Sequence, residues 1–228
     1  MLKKITEQLH ALPPEALQPV EGAREAAVLL ALTREVDPQL VFIQRAQHMK
    51  SHPGQVAFPG GKWEPGDSSL LFTALRESEE EVALAPGEVE LIAKLPQRRT
   101  RLGVQVTPYL GFIRPGLPLL ADPGELEAIF HVPLSYLLEP QHLIKKQVDV
   151  LGSWCWMPCY HYAGYTIWGF TLTVLVDMLN RVFDVGLSAE IDGADLPAEL
   201  RQQFPRFPEG ESQGEQGSES IKDSRLKR

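Results

Sequence analysis

Cysteine is nearly missing from this chain: 228 residues hold two, Cys155 and Cys159, both inside WCWMPCYHY. With three residues between them and no second ligand pair elsewhere, they argue against a zinc site; two free thiols in a strand of a cytoplasmic protein is the better account. Long hydrophobic runs are missing too. The longest, Tyr165 to Val176, falls short of the roughly 18 to 20 residues needed to span a bilayer. The first residues, MLKKITEQLHALPPEALQP, have no apolar core of the kind a signal peptide needs, and their prolines break any long helix. A cytoplasmic protein without a membrane partner is therefore expected. Positive charge is in deficit, with 22 Lys and Arg against 30 Asp and Glu and a formal net charge of −8. That excludes bulk attraction to nucleic acid or anionic membrane, so any phosphate site must be a local basic patch. No internal repeat is present.

What the chain does have is an ordinary 43% of apolar residues and a length that fits one α/β domain of about 150 to 180 residues with terminal extensions. The expected boundaries are an N-terminal extension over 1–23, one catalytic domain over 24–184, and a C-terminal extension over 185–228, largely disordered from about 200, where Gln, Gly, Ser, Glu and Pro prevail. AAVLLALTRE at 26–35 and QLVFIQRA at 39–46 read as a hairpin turning at Asp37-Pro38. Further strands are expected at 56–58, 89–95, 104–113, 154–160 and 161–166, with helices over 68–82 and from near Ile167 to Asp184. The pattern implies an α+β arrangement, a mixed sheet between helices.

The richest stretch is FPGGKWEPGDSSLLFTALRESEEEVAL, residues 58 to 84. At about 100° per residue, Glu77, Glu80 and Glu81 fall on one helical face, expected to be exposed and to bind, while Leu71, Ala74, Leu75, Ser78 and Val82 gather on another that can pack. Clustered carboxylates repel unless a cation neutralises them, and such hard oxygen ligands suit Mg²⁺ or Mn²⁺. A Glu-rich helix alone is most often a solvated face. This one comes after Pro59, Gly60 and Gly61, where the backbone can approach a ligand closely, and Asp67, Ser68 or Ser69 stands ready to cap it.

The arrangement resembles the signature of Nudix hydrolases: Gly61, then Asp67, Arg76-Glu77, Glu80-Glu81, Ala83 and Leu84. Asp67 stands where the general pattern has Glu, the gap to Arg76 is one residue longer, Ser78 replaces an aliphatic residue and Ala83 a glycine. Upstream, Arg45, Ala46, Lys50, Gly54 and Phe58 to Gly61 look like the extra signature of the coenzyme A pyrophosphatase branch, with Lys50 in place of the usual Arg. The longer gap and Asp67 also look like this branch.

The resemblance covers residues 24 to 184 and implies the Nudix-type mixed sheet sandwiched between helices. It also implies metal-dependent hydrolysis of coenzyme A or its acyl derivatives to 3′,5′-ADP and 4′-phosphopantetheine or its acyl form. Glu77 and Glu81 are implied as the firmest ligands of Mg²⁺ or Mn²⁺, and Glu80 as a further ligand, directly or through water. Arg76 completes the catalytic set by pairing an acidic neighbour such as Asp67. Arg45, Lys50, Gly60 and Gly61 are expected at the substrate. Arg98, Arg99 and Arg101 in LPQRRTRLG are expected on a loop where one or two of them bind the 3′-phosphate. The proton acceptor stays open among Glu77, Glu81 and a later glutamate; Glu125 and Glu127 are acidic candidates downstream. The partner is a small molecule, the assembly a monomer or homodimer. Two other readings stand beside this one: the same chemistry on ADP-ribose or a dinucleotide, and a catalytically silent nucleotide-binding module.

Overall fold

Apolar residues on both sides of Asp37-Pro38 form the expected hairpin, β1 (Glu25–Thr33) and β2 (Gln39–Arg45), antiparallel with Leu32 opposite Leu40. The computed structural model describes residues 1–10, 24–150, 152–191, 195, 196 and 200. Met1–Glu190 form one compact unit and Ile191–Arg228 a second. The tail expected to be disordered lies outside the described residues.

β1 is central. β7 (Gln105–Ile113) runs parallel to it along its whole length, and β4 (Gly60–Lys62) pairs its other edge at Ala26, Ala27 and Val28. Because both faces are covered, β1 and β7 read as nearly continuous apolar runs. β3 (Val56–Ala57) and β8 (Leu126–Pro133) pair with β2, while β5 (Glu90–Lys94) and the two-residue β6 (Arg98–Arg99) pair with β7. The result is a mixed sheet.

Helices cover both faces. α2 (Leu70–Val82) packs on Ala27, Leu29, Ala31, Val41, Ile43 and Tyr109. The alternate residues, Leu30, Leu32, Leu40, Phe42 and Leu110, face the opposite core with α1 (Leu2–His10) and α4 (Gly169–Phe183). The short α3 (Leu134–Leu137) comes directly after β8. A second, antiparallel sheet holds β9 (Leu143–Val150), β10 (Ser153–Tyr162) and β11 (Tyr165–Trp168). One expectation is corrected. The break placed between Tyr160 and His161 falls instead at Ala163-Gly164, the two residues with positive φ that close the hairpin. α1, read only as a segment too proline-rich for a long helix, is short, ends before those prolines, and buries Ile5 and Leu9 one turn apart. Among the described residues, no helix is long and apolar enough to cross a membrane.

Candidate active site

Ser69 caps α2, its hydroxyl accepting the Phe72 N–H at 3.1 Å. That frees Asp67 for another task. Its carboxylate accepts the Thr73 hydroxyl at 2.8 Å and the Glu64 N–H at 3.1 Å, and it takes a two-point contact from Arg76, Nε at 2.9 Å and Nη2 at 3.1 Å. The Arg76 hydrogen bonds hold the Asp67 carboxyl well below the usual range, at about 2, against the opposing effect of burial. Arg76 also reaches Glu80 Oε2 at 3.0 Å, Glu77 Oε1 at 3.1 Å and the Lys62 carbonyl at 3.3 Å. One guanidinium therefore ties the loop to two of the three glutamates.

The three glutamates do not share one exposed face. Ala74, Ser78 and Val82 are buried, and Glu81, seven residues after Ala74, lies on the same stripe and is only 4% exposed. Glu80 faces outward, its side chain 59% exposed, and Glu77 lies between these extremes. Burial raises the Glu81 carboxyl to about 7 and raises Glu77 as well. The Gly60 N–H, donating to Glu81 Oε2 at 2.9 Å, and Arg45 Nη1, 3.7 Å from Oε1, oppose that rise for Glu81.

The glycine turn fits because nothing larger can. Gly60 has φ +143°, and a Cβ there would lie 2.3 Å from the Ala27 carbonyl oxygen, in backbone that cannot yield. At Gly61 a Cβ would lie 2.3 Å from the Glu77 carboxyl carbon. Any side chain at 61 would displace that carboxylate.

Arg45 comes from the end of β2, on the same sheet face as Val41 and Ile43, where a bulge against β8 shifts the register between Gln44 and Arg45. Its other nitrogen, Nη2, lies 4.0 Å from Glu125 Oε2. Glu125 thereby joins the group, and its charge adds to the rise in both Glu77 and Glu81. Periodicity could not find it, because it enters from a loop held by the Ala46 N–H on the Glu125 carbonyl at 2.8 Å. Lys50 is exposed in the loop between β2 and β3.

The arginine trio is not a uniform loop. Arg98 and Arg99 form β6, and the Arg98 side chain turns to α4, where Nη2 contacts Asp177 Oδ1 at 2.5 Å. Arg99 lies opposite Gln105 and so on the other face, that of α2; Arg101 is exposed in the turn between β6 and β7.

The residues suit a hard divalent cation in chemistry: Glu77, Glu81 and Glu125 repel one another, and oxygen ligands around a cation would relieve that repulsion. Among the described residues, no three acidic, histidine or cysteine side chains sit at metal-holding spacing. Arg76, Arg45 and the Gly60 N–H occupy these oxygens as placed.

The sequence profile of the NUDIX domain matches residues 23–163. This chain belongs to the Nudix family. The "Uncharacterized Nudix hydrolase NudL" of Salmonella newport (strain SL254) is 37% identical over 183 residues, which are 79% of this chain and 94% of that relative. The protein of the same description from Enterobacter sp. (strain 638) is 38% identical over 177 residues, 77% of this chain and 91% of its own. Neither description names a substrate. The solved MutT/nudix family protein from Enterococcus faecalis covers 90% of this chain and 74% of its own at 17% identity, with a TM-score of 0.47, a likeness too slight to extend the assignment. The fold is the Nudix fold, and the chain is a Nudix hydrolase, of a family acting on pyrophosphate bonds. Nudix hydrolases generally use divalent metals such as Mg²⁺.

Proposed function

We propose that this Nudix hydrolase cleaves the pyrophosphate of coenzyme A or its acyl derivatives, releasing 3′,5′-ADP and 4′-phosphopantetheine or its acyl form. The observation that carries the reading is Arg45. It opens the stretch from Arg45 to Gly61 that resembles the coenzyme A pyrophosphatase branch, and its guanidinium lies between Glu81 and Glu125. There it suits a phosphate oxygen that approaches between these two carboxylates.

Glu77 and Glu81, with Glu80 as a further ligand, would hold Mg²⁺ or Mn²⁺, which would offset the phosphate charge and make water more acidic. The chain's own residues do the rest. Gly60 and Gly61 let the backbone approach the diphosphate, and Arg76 braces Glu77 and Glu80 against Asp67. Glu125, 49% exposed in its side chain where Glu81 is sealed, is suited to accept the proton of the attacking water and pass it to solvent. Water oxygen bonds to one phosphorus while the bridging oxygen leaves with the other phosphate. Arg99, on the α2 face of the sheet, is the arginine of the trio we assign to the 3′-phosphate, since Arg98 is committed to Asp177.

Purified protein incubated with coenzyme A and Mn²⁺ or Mg²⁺ should yield the two named products by mass analysis, with ADP-ribose and a dinucleotide as competing substrates. Faster turnover of either competitor would overturn the coenzyme A assignment. In an Arg99→Ala variant, the preference for coenzyme A over its 3′-dephospho analogue should fall; an unchanged preference removes Arg99 from the site.

A further inference from the structure

Between β7 and β8 the chain crosses the C-terminal end of α2 and is fastened there through its main chain. The Leu120 N–H donates to the Val82 carbonyl at 3.0 Å and the Asp122 N–H to the Glu81 carbonyl at 2.9 Å. These are carbonyls that a helix end leaves without an intrahelical donor. Asp122 also shapes the turn into β8. Its Oδ1 accepts the Gly124 N–H at 2.9 Å, and its carbonyl accepts the N–H of Glu125 at 3.1 Å and of Leu126 at 2.8 Å. On the far side, His48 Nε2 lies 3.0 Å from the Gly124 oxygen and the Ala46 N–H binds the Glu125 carbonyl. One residue thus holds the backbone of Glu81 by its N–H and the turn into Glu125 by its carboxylate and carbonyl.

We propose that Asp122 is a positioning residue for the hydrolysis: its turn fixes the Glu125 carboxylate at a set offset from Glu81 and Arg45. The inference rests on Glu125 being the proton acceptor. A general base works only within hydrogen-bond reach of the water it deprotonates, and misplacement by about an ångström costs as much as a hundredfold in rate. A turn that served stability alone would show no coupling between Asp122 and Glu125.

The test is a double-mutant cycle in the full chain, using whichever nucleoside diphosphate derivative the wild type hydrolyses fastest. Asp122→Ala should lower kcat about tenfold with KM within about twofold. Asp122→Asn, which keeps the acceptor for the Gly124 N–H, should stay near the wild-type rate. The double variant Asp122→Ala, Glu125→Gln should be no slower than Glu125→Gln alone, because mispositioning an absent base has no further effect. Mn²⁺ affinity by titration calorimetry should match the wild type in Asp122→Ala. Multiplying losses in the double variant, an Asn variant as slow as the Ala variant, or weakened Mn²⁺ binding in Asp122→Ala would each overturn the proposal. A Glu125→Gln variant with undiminished kcat removes the proton-acceptor reading and this inference with it. A slow Glu125→Gln beside a fully active Asp122→Ala removes the positioning role alone.

Discussion

Glu81 carries a conflict that a bound cation would resolve: a carboxylate on the buried stripe of α2, with one N–H and a distant guanidinium as partners. Its folded-state carboxyl is raised to about 7, against about 4.3 in an unfolded chain. The folded state therefore binds the proton more tightly. The stability this contributes is complete below about pH 4.3 and lost as pH rises through 7. Removing the ionisable group should recover that loss, up to about 4 kcal/mol, in metal-free protein. Glu81→Gln should therefore raise the melting temperature relative to wild type at pH 8 far more than at pH 5, with EDTA present, and lose most turnover when metal is restored. Equal shifts at the two pH values would show that Glu81 is not the group responsible.

At the level of the element, α2 ends on Ala83, whose φ of +55° places an ordinary L-residue in the left-handed region. Its N–H closes onto the Glu79 carbonyl and the Leu84 N–H onto that of Ser78, the helix stop that favours glycine. Ala83→Gly should stabilise the protein by about 0.5 to 1 kcal/mol, the relief of strain exceeding the added unfolded-state entropy. Urea unfolding would measure it, and a lower midpoint would contradict it. The departure from the family pattern at 83 was thus visible in sequence, and its cost comes from the dihedral. The helix and the hairpin at Asp37-Pro38 were legible because each is set by local chemistry; the cap was narrowed to Asp67, Ser68 or Ser69, and the structure gives Ser69. The burial of Glu81 was not, since it depends on which stripe meets the sheet. β9 escaped because Lys145-Lys146 interrupts its alternation, and β6 is too short for any periodicity. Glu125 and Glu127 are equal acids in sequence; the bulge beside Arg45 and the Ala46 hydrogen bond distinguish them.

Across the whole molecule the sheet separates chemistry from support. α2, the glycine turn and Glu125 gather with the face of Ala27 and Leu29, whereas α1 and α4 seal the face of Leu30 and Leu32. Ile5, fully buried, and Leu9 bring α1 into that second core although they lie before the matched domain begins at residue 23. Cutting Ile5 to Ala should cost about 2 to 5 kcal/mol through lost burial and the cavity left behind. For a unit of this size that corresponds to a fall in melting temperature of roughly 5 to 15 °C. At 25 °C kcat and KM per folded molecule should be unchanged, because α1 packs on the sheet face opposite the carboxylates. Thermal unfolding paired with steady-state kinetics checks both halves. A wild-type melting temperature would mean α1 is not part of the core in solution, and a changed kcat at full folding would mean that strain on one face of the sheet reaches the other.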